Sequence, residues 1–245
     1  MMEHAQVIER INAFLETYQT DLSYCHGADH VRRVAKLGVK IGTQEGADCR
    51  IIEIAALLHD IGCVPLGWSK LALGRDESDF LDFLGLYVLP STDHGELGAL
   101  IAERFLEHLG YSNVQRQHVK QIISEHTKGT EQTTLESRIV SDADKLELLG
   151  ATWIARAFQR TSAFDRRLGI ESVPERFLSG KETLPNVFHT ETAKKMANKE
   201  VGRARWQPWH TLKLALISFL IHLPEISCLI HTHFSYFNQL SIIDK

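Results

Sequence analysis

The sequence lacks the features that mark several large classes of protein. Its four cysteines, Cys25, Cys49, Cys63 and Cys228, include no CxxC pair and no framework spacing. We therefore expect reduced thiols in an intracellular protein rather than a disulfide scaffold. No long basic run is present, and the formal net charge is −4. This balance argues against a dedicated surface for nucleic acid or for an anionic membrane, so no DNA partner is expected.

Targeting and membrane-spanning segments are missing as well. Residues 1–20 contain no basic segment followed by a continuous apolar run, so they do not resemble a signal peptide. The longest apolar run, residues 212–230, is interrupted by His222, Pro224 and Glu225, which argues against a membrane span. We expect a cytoplasmic protein without a membrane partner.

Strand-like alternation is also scarce. Apolar residues recur mostly at three and four positions, which predicts an all-α fold, and the 44% apolar share is enough for a sizeable core. Asp48 is placed to cap a helix, and Gly46 and Gly62 to end two of them. The predicted helices span residues 3–18, 29–46, 48–62, 94–110, 113–129, 135–160 and 190–205, with irregular segments at 64–91 and 164–190.

Five of these helices carry titratable side chains on faces that should pack into the core. His30 and His59 each continue the apolar stripe of their helix. His94 opens an apolar face, His126 ends one, and Asp144 lies between two apolar residues of a fifth helix. A buried His or Asp without a partner costs several kcal/mol or shifts its pKa until it is neutral. These positions therefore need partners.

A shared cation supplies such a partner. A single histidine on an apolar face is usually a hydrogen-bonded core residue. Five helices that do this together change the interpretation, because four imidazoles cannot satisfy one another as donors and acceptors. Neutral imidazole and carboxylate are ligands that divalent metals prefer. We therefore predict that His59 and the adjacent Asp60 share one ion where their helix ends.

Three stretches of the chain resemble the HD-domain superfamily of metal-dependent phosphohydrolases. They are CHGADHVRRV at 25–34, ALLHDIG at 56–62 and IVSDADKLELLGA at 139–151. The adjacent His-Asp pair after an apolar helix is a fairly specific signal, whereas the upstream histidine alone would be weak. The resemblance covers roughly residues 24–160.

The resemblance implies an HD-domain helical bundle with a metal site in its core. The ligands that it implies are His30, His59, Asp60 and Asp144. Asp142 belongs to the same stretch, but it lies about 200° round a regular helix from Asp144, so the two cannot easily share the site. Family members carry this ligand between an alanine and a basic residue, as in ADKL at 143–146, so Asp144 is preferred.

Two further histidines lie where some members of the superfamily have additional ligands. DHGELGA at 93–99 contains His94, and ISEHTKG at 123–129 contains His126. Such members hold two metal ions, often with an aspartate between them. A second ion is therefore one interpretation, and contact with a bound phosphate is the other. The expected cofactor is one or two divalent ions from among Mn, Co, Mg, Zn and Fe.

The resemblance also implies a reaction, hydrolysis at phosphorus by a water that the metal activates. In this mechanism Asp60 bridges or orients the nucleophile. Lys145 and Lys128 are close in sequence to the implied ligands, so either can hold phosphoryl oxygens. A solvated surface lysine is the alternative for both. Weaker candidates for contacts around the site are Arg33, His26, Glu125 and Glu147.

The nearest look-alikes are small HD proteins that act on nucleotides as monophosphatases or pyrophosphohydrolases. The expected substrate is therefore a nucleotide or a similar small phosphorylated compound. Two other classes stay open, a di-iron HD-domain oxygenase and a non-catalytic metal-stabilised module that binds a nucleotide. A homo-oligomer also stays open.

The resemblance divides the chain into two parts. Residues 1–200 are predicted to form the HD-domain unit, and residues 201–245 a C-terminal extension whose role is not assigned. Residues 64–91 are longer than the family pattern predicts. They are either an inserted lid or partner surface, or a packed loop.

Overall fold

In the computed structural model of the protein, the described residues are 3–19, 26–64, 91–126, 131–149 and 187–206, with side chains to residue 200. These ranges contain seven α-helices and no β-strand, which confirms the all-α prediction. None of these seven helices combines the length and apolar character needed to cross a membrane. The helices are α1 His4–Tyr18, α2 Ala28–Glu45, α3 Cys49–Leu58, α4 His94–His108, α5 Asn113–Glu125, α6 Leu135–Leu146 and α7 Glu191–Trp206.

Three helices end at least four residues earlier than the sequence predicts. α3 ends at Leu58, α5 at Glu125 and α6 at Leu146. After α6, the next three backbone N–H groups bond to carbonyls three residues back, at 3.1, 3.0 and 3.1 Å. This tighter turn, at residues 147–149, interrupts the helix that was predicted to continue to residue 160. Residues 150–186, like 65–90, lie outside the described ranges.

Most of the predicted caps are present. The Asp48 side chain accepts hydrogen bonds from the backbone N–H groups of Arg50 at 3.0 Å and Ile51 at 3.3 Å. Gly46 follows α2 with φ of 75°, and Gly110 lies just beyond α4 with φ of 77°. Both conformations are left-handed, where glycine has no steric penalty.

Helix α3 occupies the centre of the bundle. It packs against α1, α2, α5 and α6, while α4 packs on α5, and α7 packs on α6 and α2. The side chains of Ile52, Ile54 and Leu58 are fully buried in this core. The end of α3, where His59 and Asp60 follow, is therefore surrounded by other helices.

Gly62 allows α4 to approach the turn that follows α3. A Cβ atom at Gly62 would lie 2.0 Å from the carbonyl oxygen of His94 and 2.5 Å from the nitrogen of Gly98. On the other side, a Cβ at Gly98 would lie 3.3 Å from the His59 carbonyl oxygen. The sequence analysis assigned Gly62 to a helix end. The structure corrects this, because α3 ends at Leu58 and Gly62 is needed for close backbone packing.

We expect Gly62→Ala to lower the free energy of unfolding by on the order of 3 kcal/mol, because the new methyl group would overlap backbone atoms that cannot rotate away. Gly46→Ala is the matched control, since a Cβ there meets nothing within 4 Å. It should cost only about 1 kcal/mol for its left-handed φ. Urea unfolding of both variants measures the difference. Equal losses would contradict the proposed close approach.

Candidate metal centre

His30 lies in the first turn of α2 and points into the bundle. Its side chain is 4% exposed. Its Nε2 atom lies 3.2 Å from Oδ1 of Asp144 on α6 and 3.4 Å from Oδ2 of Asp60. The first turn of α2 and the last turn of α6 therefore meet at Asp60.

His59 and Asp60 form the turn that follows α3. The Ile61 N–H bonds to the Leu58 carbonyl oxygen at 3.1 Å, and the Cys63 N–H to the Asp60 carbonyl oxygen at 2.9 Å. This turn directs both side chains to the same region. The His59 Nε2 lies 3.3 Å from Asp60 Oδ2, although the two residues are adjacent in sequence.

Two imidazoles are fixed by hydrogen bonds within their own helix ends. His59 Nδ1 lies 2.7 Å from the Ala56 carbonyl oxygen, and His126 Nδ1 lies 2.5 Å from the Ile123 carbonyl oxygen. Since a carbonyl only accepts, each Nδ1 carries the proton that it donates. Both Nε2 atoms are buried and have no hydrogen-bond partner among the described residues. An imidazole anchored through one nitrogen and unpartnered at the other is typical of a metal ligand.

The distances between donor atoms fit a shared ion. His30, His59 and Asp144 each offer a ligand atom, and these atoms lie within 4.8 Å of one another. The longest of the ion-pair distances among them is 3.9 Å, from His59 Nε2 to Asp144 Oδ1. Two ligands bound to one ion at about 2.1 Å lie roughly 3 to 4.2 Å apart. The residues present therefore fit a divalent cation without rearrangement of the backbone.

A second grouping lies on the other oxygen of Asp60. His126 Nε2 is 3.7 Å from Asp60 Oδ1, and His59, Asp60 and His126 offer ligand atoms within 4.8 Å of one another. The His94 ring lies 5.2 Å from the His126 ring but belongs to none of these groupings among the described residues. Asp60 thus has one oxygen toward each grouping. Whether one or two ions bind stays a prediction.

Three of the weaker candidates, His26, Glu147 and Arg33, lie around this centre. His26 Nδ1 lies 2.7 Å from Asp60 Oδ2. Glu147 accepts a hydrogen bond from Arg33 Nε at 2.8 Å and lies 3.7 Å from His30 Nδ1, so it is positioned behind His30. The Arg33 guanidinium is therefore engaged by a carboxylate rather than open to a phosphate.

Glu125 lies apart from the centre. Its carboxylate accepts hydrogen bonds from the backbone N–H of Thr133 at 2.9 Å and from the Thr133 hydroxyl at 2.6 Å. It also accepts from Gln121 at 2.9 Å. These contacts engage both carboxylate oxygens of Glu125 and tie the end of α5 to Thr133, just before α6.

Lys145 follows Asp144 on α6 but turns toward the segment before α7. Its ammonium lies 3.3 Å from the Val187 carbonyl oxygen and 3.3 Å from His189 Nε2. No carboxylate of the described ranges lies within ion-pair distance of it, and burial lowers the pKa of the Lys145 ammonium. Lys128, the other predicted catalytic lysine, lies outside the described residues.

Asp142 has a structural role on the opposite side of α6. It accepts hydrogen bonds from the backbone N–H groups of His189 at 2.9 Å and Thr190 at 2.8 Å, and from the Thr190 hydroxyl at 2.8 Å. These contacts fix the start of α7 against α6. The prediction that Asp142 and Asp144 face different regions is therefore correct.

Two residues near the centre, Cys63 and His189, were not predicted to be functional. Cys63 Sγ lies 3.9 Å from Asp60 Oδ1, three residues along the turn. That spacing was a usable signal, because a turn brings residues three apart together. His189 contacts Lys145 although the two are 44 positions apart, and nothing local in the sequence indicates that contact.

Comparison with known proteins identifies the family. The model of the HD domain family matches residues 27–149, which contain every residue of the two ligand groupings. The chain belongs to the HD domain family. HD domains bind divalent metal ions, and the His and Asp groupings of this HD domain are of the kind that can hold one.

Individual relatives are similar to this chain over most of its length. The chain is 30% identical over 203 residues to the uncharacterized protein YpgQ of Bacillus subtilis strain 168, covering 81% of this chain and 88% of YpgQ. A crystal structure of YpgQ in complex with ADP is 23% identical, covers 92% of this chain and 99% of its own, and has a TM-score of 0.58. A predicted HD-superfamily hydrolase from an uncultured Thermotogales bacterium is 25% identical, with coverages of 86% and 98% and a TM-score of 0.56.

Burial and charge together set the protonation of this HD domain in its metal-free form. Burial alone would raise the pKa of Asp60, but the imidazoles of His26 and His59 outweigh it and hold that pKa well below its usual range. Burial alone would lower the pKa of His30, but its contacts with Asp144 and Asp60 outweigh burial and raise it to about 10. The metal-free centre therefore holds anionic carboxylates beside a protonated His30.

This protonation predicts that metal binding releases protons. At neutral pH, His30 is charged because its pKa is about 10, yet only neutral Nε2 can bind a cation. Binding of Mn²⁺ should therefore release about one proton per ion, and the affinity should rise with pH until His30 titrates.

Calorimetric titration in two buffers of different ionisation enthalpy measures the released protons. His108→Gln is the matched control, because His108 is exposed at the end of α4 and donates its Nδ1–H to the Arg104 carbonyl oxygen at 2.8 Å. Its variant should release as many protons as the parent protein. Binding with no net proton release would contradict the arrangement.

Proposed function

We propose that the protein is a metal-dependent phosphohydrolase that cleaves the phosphoester or phosphoanhydride bond of a nucleotide or a similar small phosphorylated compound. The observation that carries the proposal is the pair of buried, unpartnered Nε2 atoms of His59 and His126, both directed at the carboxylate of Asp60. A structural core histidine would have both nitrogens satisfied. The ADP complex of YpgQ supports the choice of a nucleotide.

The residues that would hold the ion follow from the distances. His30, His59, Asp60 and Asp144 would hold one cation, and Asp60 with His126, beside His94, would hold a second where two bind. A divalent cation held there supplies Lewis acidity, which lowers the pKa of a water and neutralises charge on a phosphoryl group. The Asp144 side chain is 33% exposed, so the ligand set is reachable from solvent.

Asp60 is the residue that would orient the attacking water. Its Oδ2 accepts a hydrogen bond from His26 at 2.7 Å, which fixes the plane of the carboxylate. Its Oδ1 faces His126 at 3.7 Å, a separation too long for a hydrogen bond. That oxygen has a lone pair with which it can accept a hydrogen bond from a water and hold the water in line with phosphorus.

Lys145 would bind the phosphoryl oxygens. Its ammonium is half-buried next to Asp144, and its contacts are a carbonyl oxygen and an imidazole, both neutral acceptors. A half-buried ammonium that has no carboxylate within ion-pair distance among the described residues is stabilised by an anion that enters the site. Lys128 is a second candidate on sequence grounds. A phosphate group of the substrate would supply this negative charge beside the Lys145 ammonium.

We expect Asp60→Asn and Asp144→Asn to reduce metal-dependent hydrolysis by about 100-fold or more, because each removes a charged ligand while keeping the side chain's shape. The measurement is phosphate release from a panel of nucleotides and sugar phosphates, with and without added Mn²⁺. Circular dichroism should show unchanged helix content. His108→Gln is the control and should retain full activity.

The panel also separates the proposal from the oxygenase alternative. The metal content of the purified protein is measured by elemental analysis before the panel is run. Oxygen uptake is then recorded in the same reactions as phosphate release. Iron-dependent oxygen consumption without phosphate release would overturn the proposal. Full hydrolysis by Asp60→Asn would overturn the role of the ligand set.

We expect Lys145→Gln to lower kcat/KM by about tenfold or more, because a charge-assisted hydrogen bond to the phosphoryl group is lost. Lys36→Gln is the control, since Lys36 is an exposed lysine on α2, the helix that carries His30. Steady-state kinetics with the best substrate of the panel measures both. Equal kinetics of the two variants would remove Lys145 from the mechanism.

A further inference from the structure

A third group of ligand-type side chains meets at Asp60. His26 precedes α2, and Cys63 lies in the turn after α3. Together with Asp60 they offer three ligand atoms that lie within 4.8 Å of one another. None of the roles assigned above uses Cys63, and His26 enters them only through its hydrogen bond to Asp60.

This third group differs chemically from the other two. The groupings of His30, His59 and Asp144, and of His59, Asp60 and His126, contain only nitrogen and oxygen ligands. The group of His26, Asp60 and Cys63 adds sulfur. Thiolate ligands favour zinc and other soft ions, whereas manganese and magnesium favour oxygen. The added sulfur therefore changes which ion is preferred.

We propose that His26, Asp60 and Cys63 form a thiolate-containing cation site that binds Zn²⁺ and shares Asp60 with the phosphohydrolase centre. The cation takes the place of the proton that His26 Nδ1 donates to Asp60 in the metal-free protein, and that proton passes to solvent. The Cys63 thiol loses its proton to solvent when its sulfur binds the ion. Three protein ligands leave a fourth tetrahedral position for water.

The geometry accommodates this ion with small movements. Two ligands of one zinc ion lie about 3.3 Å apart, so the 2.7 Å contact between His26 Nδ1 and Asp60 Oδ2 must open by roughly 0.6 Å. The His26 side chain is 37% exposed, which leaves it room to move. Cys63 Sγ, 3.9 Å from Asp60 Oδ1, already lies at a distance that fits two ligands of one ion.

Sharing Asp60 has a consequence for turnover, and this consequence rests on the proposed function. A zinc ion bound to His26, Asp60 and Cys63 withdraws electron density from the carboxylate that orients the water. It also removes the His26 hydrogen bond that fixes the plane of Asp60. Excess zinc should therefore inhibit hydrolysis supported by manganese, and the inhibition should depend on Cys63.

The direct test is a titration of the full-length protein with Co²⁺, a spectroscopic substitute for zinc. A bond between cobalt and a thiolate gives a near-ultraviolet charge-transfer band, which nitrogen and oxygen ligands do not give. The parent protein should show this band, and Cys63→Ser should lose it. His26→Gln should weaken the binding of cobalt, followed through this band, by about tenfold or more.

Cys49→Ser is the matched control. Cys49, the first residue of α3, is also half-buried. Its Sγ lies 3.5 Å from the Thr43 hydroxyl and 3.7 Å from the Val39 carbonyl oxygen, away from Asp60 in sequence and in its contacts. Its variant should keep the band. A band that survives Cys63→Ser, or no band in the parent protein, would overturn the proposal.

The activity arm keeps the two proposals distinguishable. With Mn²⁺ present, excess Zn²⁺ should inhibit the parent protein and Cys49→Ser, while Cys63→Ser should hydrolyse at the parent rate and resist inhibition by about tenfold more zinc. Equal inhibition of both variants would overturn the shared carboxylate. An absence of hydrolysis under every condition would overturn only the proposed function, because the cobalt band requires no turnover.

Discussion

The buried charge of Asp60 is the constraint on which the centre depends. Its side chain is 4% exposed, and a buried carboxylate is stable only when positive charge or strong donors surround it. Four imidazoles surround it: His26 at 2.7 Å, His59 at 3.3 Å, His30 at 3.4 Å and His126 at 3.7 Å. They come from the segment just before α2, from α2, from the turn after α3 and from the end of α5. The charge of one residue therefore links much of the bundle.

Backbone packing makes that arrangement reachable. The turn after α3 can bring His59 and Asp60 beside α4 only because Gly62 has no Cβ, and Gly98 on α4 faces it. On the other side, Asp142 fixes the first residues of α7 to α6, which holds the α6 turn that carries Asp144 and Lys145. The centre thus rests on two contacts, at Gly62 and at Asp142, and neither of them uses a ligand side chain.

Periodicity was sufficient to predict the helices and the inward direction of His30, His59, His126 and Asp144, because both follow from local spacing. Helical geometry separated Asp142 from Asp144 in the same way, whereas the preference for Asp144 came from the resemblance to the HD-domain superfamily. The ends of α3 and α6 were wrong, since a tight turn there is set by packing rather than by helix propensity. Contacts between distant segments, such as that of Lys145 with His189, carry no local pattern and were missed.

The different ligands around Asp60 give the chain a means to discriminate between cations. Imidazole nitrogens of His26, His30 and His59 lie nearest Oδ2, while His126 Nε2 and the Cys63 sulfur approach Oδ1. Two dications that share one carboxylate repel each other and compete for its electron density. On the proposals above, filling of the thiolate site and productive filling of the phosphohydrolase centre are therefore antagonistic. The ratio of zinc to manganese around the protein then sets its activity, with Cys63 as the residue that makes the response selective.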